Sequence, residues 1–166
     1  MPIEVRQATE SDIAYVERSL TTAFSSTLVA VHGELIDAST LPAAIAWADG
    51  APAGLLTYRI TTAEGDGAEW EVVSIAADRP GSGAGTALLS WIQETATRAG
   101  AARIWLVTTN DNIDALRFYQ RRGFDLVRVH RDAVTRARLL KPTMPLSSNG
   151  IPMRHEVEFE LRIAGA

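Results

Sequence analysis

Residues 69–107 constrain this chain most. Glu69 to Ala76 reads as a strand, and it runs directly into Asp78-Arg79-Pro80-Gly81-Ser82-Gly83-Ala84-Gly85-Thr86. A helix leaves that loop at about Gly83 and continues to Ala99. Leu88, Trp91, Ile92, Thr95 and Ala99 recur along it at helical spacing, and Gly100 closes it. Ile104-Trp105-Leu106-Val107 follows as a short apolar run, which reads as a buried strand. A strand–helix–strand unit has to lie on a larger sheet to bury the helix's apolar face. The rest of the chain must therefore supply that sheet.

It does so on both sides. Ile3 and Val5 alternate with polar neighbours as in a short strand, and Thr9 and Asp12 fit a capping box for a helix reaching about Phe24. Residues 25–40 are ambiguous between a short helix and a loop over a site. Leu41 to Trp47 and Gly54 to Ile60 read as strands, with a turn at Asp49-Gly50-Ala51-Pro52 and a second at Glu64-Gly65-Asp66-Gly67. Asn112 to Arg122 is the next helix, closed by Gly123, and Phe124 to Val129 is a strand. Residues 133–150 begin with a short helix and end in a loop rich in Pro, Ser and Gly. Val157, Phe159, Leu161 and Ile163 alternate with Glu156, Glu158, Glu160 and Arg162, which predicts a strand with one wet face. The order gives a mixed sheet with helices packed on it, and no linker divides it, so a single domain over 1–166 is expected.

Composition narrows the chemistry. The chain has 166 residues, 46% hydrophobic and 22% charged, which suits an ordinary globular core. There is no cysteine, which removes disulfides, thiolate metal sites and a cysteine nucleophile together. His32, His130 and His155 show no ligand spacing, so they read as ordinary side chains and no metal is expected. No membrane span or signal peptide is read, and a cytoplasmic protein is expected. The net charge of −4 argues against a nucleic-acid partner. Residues 1–78 carry −9 and residues 79–166 carry +5. That asymmetry suits a polyanionic cofactor and a cationic substrate, and equally a solvated surface.

The glycine-rich loop is an anion site in outline. Glycines allow close backbone approach, and the helix start adds free N–H groups and a partial positive charge. Known phosphate fingerprints fail here. A dinucleotide fold needs a third glycine at Thr86, and a Walker loop needs Gly-Lys-Ser/Thr. Gly81-Ser82-Gly83 is not a nucleophile elbow, because Pro80 and Ala84 flank it. The second helix is more specific. Asn112, Ala115, Tyr119 and Arg122 share one helical face, with a small alanine between an amide and a phenol. Tyr119 taken alone fits either a buried core tyrosine or a phenol in a site.

Together the two segments resemble the GNAT acetyltransferase superfamily. That family shows Arg/Gln-Gly-x-Gly-x-Gly/Ala between a strand and a helix, and after one more strand Asn-x-x-Ala-x-x-Phe/Leu-Tyr-x-x-x-Gly-Phe. Here the first motif stands as Pro80-Gly81-Ser82-Gly83-Ala84-Gly85, and the second matches at Asn112, Ala115, Phe118, Tyr119, Gly123 and Phe124. Pro80 departs from the family pattern and has no N–H. The resemblance implies an α/β fold with a mixed, mostly antiparallel central sheet of six to seven strands and helices on both faces.

By the same resemblance the cosubstrate is acetyl-CoA and the acceptor an amine. Acetyl-CoA would lie between the strand ending near Ala76 and a splayed parallel strand at Ile104–Val107. Its pantetheine would meet backbone at Ile75 and Ala76 and the side chain of Asn112. Its pyrophosphate would meet the amides of Gly81, Ser82, Gly83, Ala84, Gly85 and Thr86. Arg122, with Arg121 beside it, could meet the ribose phosphate. A neutral amine would attack the thioester, with a backbone N–H near Ile75 stabilising the oxyanion. Tyr119 is the family's usual acid to the leaving thiolate. A phenol near ~10 and a thiol near ~8.5 differ by roughly 2 kcal/mol, which favours a hydrogen bond over full transfer.

For the base, Glu71 is favoured over Glu69. Simple alternation puts both on one face with Val73 and Ile75, and a family bulge would reset that parity. Both could equally be solvated strand carboxylates. The acceptor reads as a small-molecule amine. A protein or peptide amine, an acyl-CoA-binding module without turnover, and a nucleotide-dependent oxidoreductase are the other readings. The alternating C-terminal strand is a candidate homodimer contact.

Overall fold

The computed structural model describes residues 2–63 and 67–163. β1 (Ile3–Gln7) leads through a 3-10 turn to α1 (Ile13–Phe24). The expected capping carboxylate is in place: Thr9 N–H donates to Asp12 Oδ2 at 2.8 Å, and Arg6 donates to the same oxygen at 2.9 Å. β2 (Leu28–Val31), β3 (Glu34–Asp37), β4 (Ala43–Ala48), β5 (Ala51–Ala63) and β6 (Gly67–Ala77) follow. Then come α2 (Ala84–Arg98), β7 (Arg103–Thr109), α3 (Ile113–Gln120), β8 (Asp125–His130) and α4 (Ala133–Leu140). The two-residue strands β9 (Ser147–Ser148) and β10 (Ile151–Pro152) precede β11 (Glu156–Arg162). The expected turn at Glu64-Gly65-Asp66 lies outside the described residues.

Seven strands form the main sheet in the order β1-β4-β5-β6-β7-β11-β8. The pairing of β6 with β7 is parallel and the others are antiparallel. Consecutive β4 residues feed two different cores. Ala44 and Ala46 pack with Leu88, Leu89, Ile92 and Ala96 of α2, whereas Ala43 and Ile45 pack with Val16 and Leu20 of α1. Helices therefore cover both faces, as the resemblance implies. Burial holds α2 more than its cap does: Gly83 makes no side-chain cap bond, while each fully buried Leu or Ile contributes about 1.5–3 kcal/mol.

Three expectations need correction. Ala99 is exposed, and the buried row of α2 runs through Ala84, Leu88, Leu89, Ile92 and Ala96 instead. Residues 25–40 hold one 3-10 turn at Ala38–Thr40 and are otherwise a hairpin: β2 and β3 pair antiparallel around His32 and Gly33, both with positive φ (54° and 74°). The C-terminal strand β11 is interior, flanked by β7 and β8, so it presents no free edge for a second copy. Its polar face is wet only toward Arg162. Glu156 and Glu158 are buried, because Arg103, His130 and His32 approach that face.

Candidate active site

β6 and β7 pair at Glu69 with Arg103, Trp70 with Ile104 and Glu71 with Trp105, and no further. Beyond Glu71 the strands diverge, which leaves the main-chain groups that residues 72–77 turn toward β7 without a β7 partner. A bulge stands at the branch point. Thr57 opposes Ser74 and Tyr58 opposes Val72, so Val73 is a surplus residue on β6. The bulge changes the strand's phase. Val72 faces the α2 core and Val73 the α1 core, yet Ile75 returns to the α2 side. Plain alternation, which groups Ile75 with Glu69, Glu71 and Val73, fails at this point. The hydroxyls of Thr57 and Ser74 are hydrogen-bonded across the bulge at 2.5 Å, so the irregularity is tied down inside the core.

A cleft of about 590 Å³ opens in this fork. Ile75, Ala76, Gly81, Ser82, Gly83, Gly85 and Thr86 line one side, and Asn112, Ala115, Phe118, Tyr119 and Arg122 line the other. The two motifs therefore meet at one cavity. Ala84 is the exception among the expected residues: it is fully buried, and its Cβ packs under Gly54. Gly81 and Gly83 hold φ of 75° and 90°, values that strain any other residue. A Cβ on Gly85 would come within 3.2 Å of Phe118 Cζ, so glycine is what lets α2 approach α3 here. The first-turn amides of α2 face this space without intrahelical partners.

Arg122 welds the two motifs together. It donates to Thr86 Oγ1 at 2.6 Å and to Phe118 O at 2.9 Å, and its guanidinium lies 3.8 Å over the Phe118 ring. Arg121 is exposed and does not line the cleft. Asn112 Oδ1 caps α3 by accepting from Ala115 N–H at 3.1 Å, which leaves its amide N–H groups to donate elsewhere. Pro80 also lines the cleft, without a donor. Tyr119 fits both readings at once. Its ring is 6% exposed and sits edge-on to Phe118 and Phe124, yet the residue lines the cleft. Burial pushes its phenol well above the usual value.

Opposite, a second cavity of about 450 Å³ shares Val72, Val73, Val107, Thr108 and Asn112 with the first. Its walls come from the end of α1, from β2, from α4 and from residues 143–156. Lys141 straps them together, donating to Phe24 O at 3.0 Å and Leu28 O at 2.8 Å. Glu71 lines this cavity; Glu69 does not, and pairs instead with Arg103 at 3.0 Å. Glu71 is 1% exposed, and both of its oxygens are taken, one by His32 Nε2 at 2.6 Å and one by Arg59 Nε. Burial pushes the Glu71 carboxyl up, but the His32 and Arg59 contacts outweigh it and hold it below the usual value. Burial pushes the His32 imidazole down, and the Glu71 contact more than reverses this. The contact therefore favours the carboxylate form of Glu71 and the protonated form of His32. On its other side His32 Nδ1 stands 3.8 Å from Glu156 Oε2.

The family model for the GNAT acetyltransferases matches residues 13–124, which include the loop, the fork and α3. The chain belongs to the GNAT acetyltransferase family. The uncharacterized protein YdhI of Bacillus subtilis (strain 168) is 43% identical over 107 residues, covering 64% of this chain and 64% of that protein. The match thus spans less than two thirds of that relative's length. Among solved structures, Naa50 of Arabidopsis thaliana in complex with the bisubstrate analogue CoA-Ac-MVNAL superposes with a TM-score of 0.72 at 13% identity, over 98% of this chain and 100% of that one. A Bacillus subtilis acetyltransferase in complex with CoA gives 0.66 at 22% identity, over 97% of each chain. At such identities these two likenesses concern the fold. No helix among the described residues is long and apolar enough to cross a membrane.

Within this GNAT domain, residues 20–40 and 133–150, where the resemblance implies substrate walls, do line the second cavity, but apart from Glu71 the sequence named none of its charged residues as site residues. His32 read as an ordinary side chain, while Asp111, Lys141 and Glu156 drew no attention. Val31-His32-Gly33-Glu34, with an apolar run before it, was a legible hairpin signal. Nothing local marks Asp111 or Glu156, because their setting is made by segments distant in the chain.

Proposed function

We propose that this chain is an acyl-CoA-dependent N-acetyltransferase that moves the acetyl group of acetyl-CoA to a primary amine on a small molecule. One observation carries the reading: the glycine loop, the forked ends of β6 and β7, and the motif face of α3 line a single cleft that meets a second, acid-walled cavity. The first suits a long polyanion with an extended arm. Amides at 81–86 and the Arg122 guanidinium suit its phosphates, and the unpaired edge of β6 at Ile75 and Ala76 suits pantetheine amides. Acetyl-CoA supplies an activated acyl group there as cosubstrate.

The residues then divide the work. Asn112 donates to the arm. An N–H of β6 beyond the bulge stabilises the oxyanion. Tyr119 donates a hydrogen bond to the departing thiolate. Its raised pKa makes it a poor proton source and keeps it a constant donor. Glu71 belongs to the proton-accepting side, as the ionised centre of the Arg59–Glu71–His32 string. A cationic acceptor fits the second cavity because its wall holds Glu71, Asp111 and Glu156. The compact, strapped walls favour a small amine over a polypeptide end. Thiol release from acetyl-CoA, measured over a library of primary amines and peptides, tests the reading. Release with small amines above the rate in water is the expected result. Calorimetry that detects no binding of acetyl-CoA, or no release with any amine, would overturn it.

A further inference from the structure

We propose that Glu156 of β11 is the catalytic residue that takes the acceptor's proton, with His32 and Glu71 as positioning residues behind it. This rests on the acetyltransferase reading above. Three carboxylates line the second cavity: Glu71, Asp111 and Glu156. Glu71 has both oxygens committed to cations. His32 has its Nε2 committed to Glu71, and that contact raises its pKa, which favours the protonated form over the one that could accept. Glu156 differs from both. It is 5% exposed, no described side chain is hydrogen-bonded to it, and its one hydrogen-bonding influence is the His32 backbone N–H. Its nearest cation, His32 Nδ1, stands off at 3.8 Å.

The four groups form a string of alternating sign: Arg59, Glu71, His32, Glu156. The Glu71 contact favours a protonated His32, and a positive His32 works against the effect of burial on Glu156. Burial pushes the Glu156 carboxyl above its usual value, and His32 is the largest opposing influence. A buried carboxylate with a raised pKa, facing a cavity and lightly paired, is what a general base requires. Other charged groups surround it. His130 lies across the ladder on β8, Arg136 approaches from α4, and Lys141 and Asp111 share the cavity wall. Asp111 is 5% exposed with Oδ1 unpartnered, which leaves that oxygen open to accept from an amine in the cavity.

The step balances. An acceptor ammonium gives one proton to Glu156, and its freed nitrogen forms the C–N bond as the C–S bond breaks. The second nitrogen proton ends on the coenzyme A sulfur, and Glu156 returns its own to solvent through the cavity.

The test is the pH profile of kcat/KM for a primary alkylamine in wild type, Glu156→Gln, His32→Gln, Glu71→Gln and Asp111→Asn. Glu156→Gln should lose about a hundredfold at neutral pH. Its rate should then climb tenfold per pH unit with the free amine, while the KM for acetyl-CoA stays put. His32→Gln should move the acidic limb to higher pH, since the cation that holds Glu156 deprotonated is gone. Glu71→Gln should keep a limb, and Asp111→Asn should raise only the amine KM. A Glu156→Gln enzyme with the wild-type limb overturns the proposal, as does an unmoved limb in His32→Gln should Glu156→Gln not fold. Loss of the limb in Glu71→Gln alone assigns the proton to Glu71 and overturns it too. Wild type that releases no thiol with any amine removes the acetyltransferase reading itself, and with it this one.

Discussion

The two cavities that meet at the fork are built in opposite ways. The cleft between the glycine loop and α3 is lined, apart from Phe24, by one stretch of chain, residues 72–122, with backbone and small residues along its loop side. The opposing cavity is lined from a hairpin, two helices and four strands, gathered across more than a hundred residues. A site built from backbone must write its requirements locally, as glycines at positive φ and a small residue on a helix face. A site built from charged side chains can scatter its parts, because each only has to arrive at the right strand position. The first is therefore specified by motif and the second by topology.

Substitutions should separate the two. The largest effect belongs to Gly85→Val, whose side chain would collide with Phe118 and close the cleft. Overpacking costs about 1–3 kcal/mol, so acetyl-CoA affinity by calorimetry should fall by up to about a hundredfold. The amine KM, extrapolated to saturating acetyl-CoA, should barely move. Tyr119→Phe comes next: turnover should fall about tenfold while acetyl-CoA binding persists, as expected for a lost hydrogen bond to a forming thiolate. Unchanged turnover at saturation would reject that role.

Lys141→Met strikes the other cavity, by cutting the strap to Phe24 and Leu28. The amine KM should rise about threefold, the worth of one modest hydrogen bond, with acetyl-CoA binding unaltered. The smallest effect is on stability. The His32 pKa is raised above its ordinary 6.5, so its contribution is complete below that value and is lost as pH rises through the raised one. Glu71 is depressed, so its contribution is present above the ordinary carboxylate value and is lost as pH falls through the depressed one. Tm should be highest between those limits and decline on the alkaline side. His32→Gln should flatten that alkaline decline, and a decline of unchanged steepness would deny the pair any role in stability.

The same contrast explains what could be read beforehand. The helix ends, the loop and the α3 face followed from glycines and spacing, and they stand where expected, apart from Ala84, which turns into the core. The misses share one cause, which is that periodicity reports alternation but not what covers each face. Glu156 and Glu158 read as wet because nothing nearby announces Arg103, His130 or a hairpin folding over from residue 32. Alternation alone groups Ile75 with Glu71, and the bulge that the resemblance implies is what resets it, at Val73. Residues 25–40 are too short and too mixed for either helical or strand period to dominate.

That surplus residue at Val73 gives β6 two independent halves. Upstream of it Glu71 turns to the second cavity, the proposed amine site; downstream the strand leaves its β7-facing amides bare along the first, the proposed thioester site. Changes before position 73 can retune which amine is chosen without shifting the grip on the donor, so selectivity and loading can drift apart along one strand.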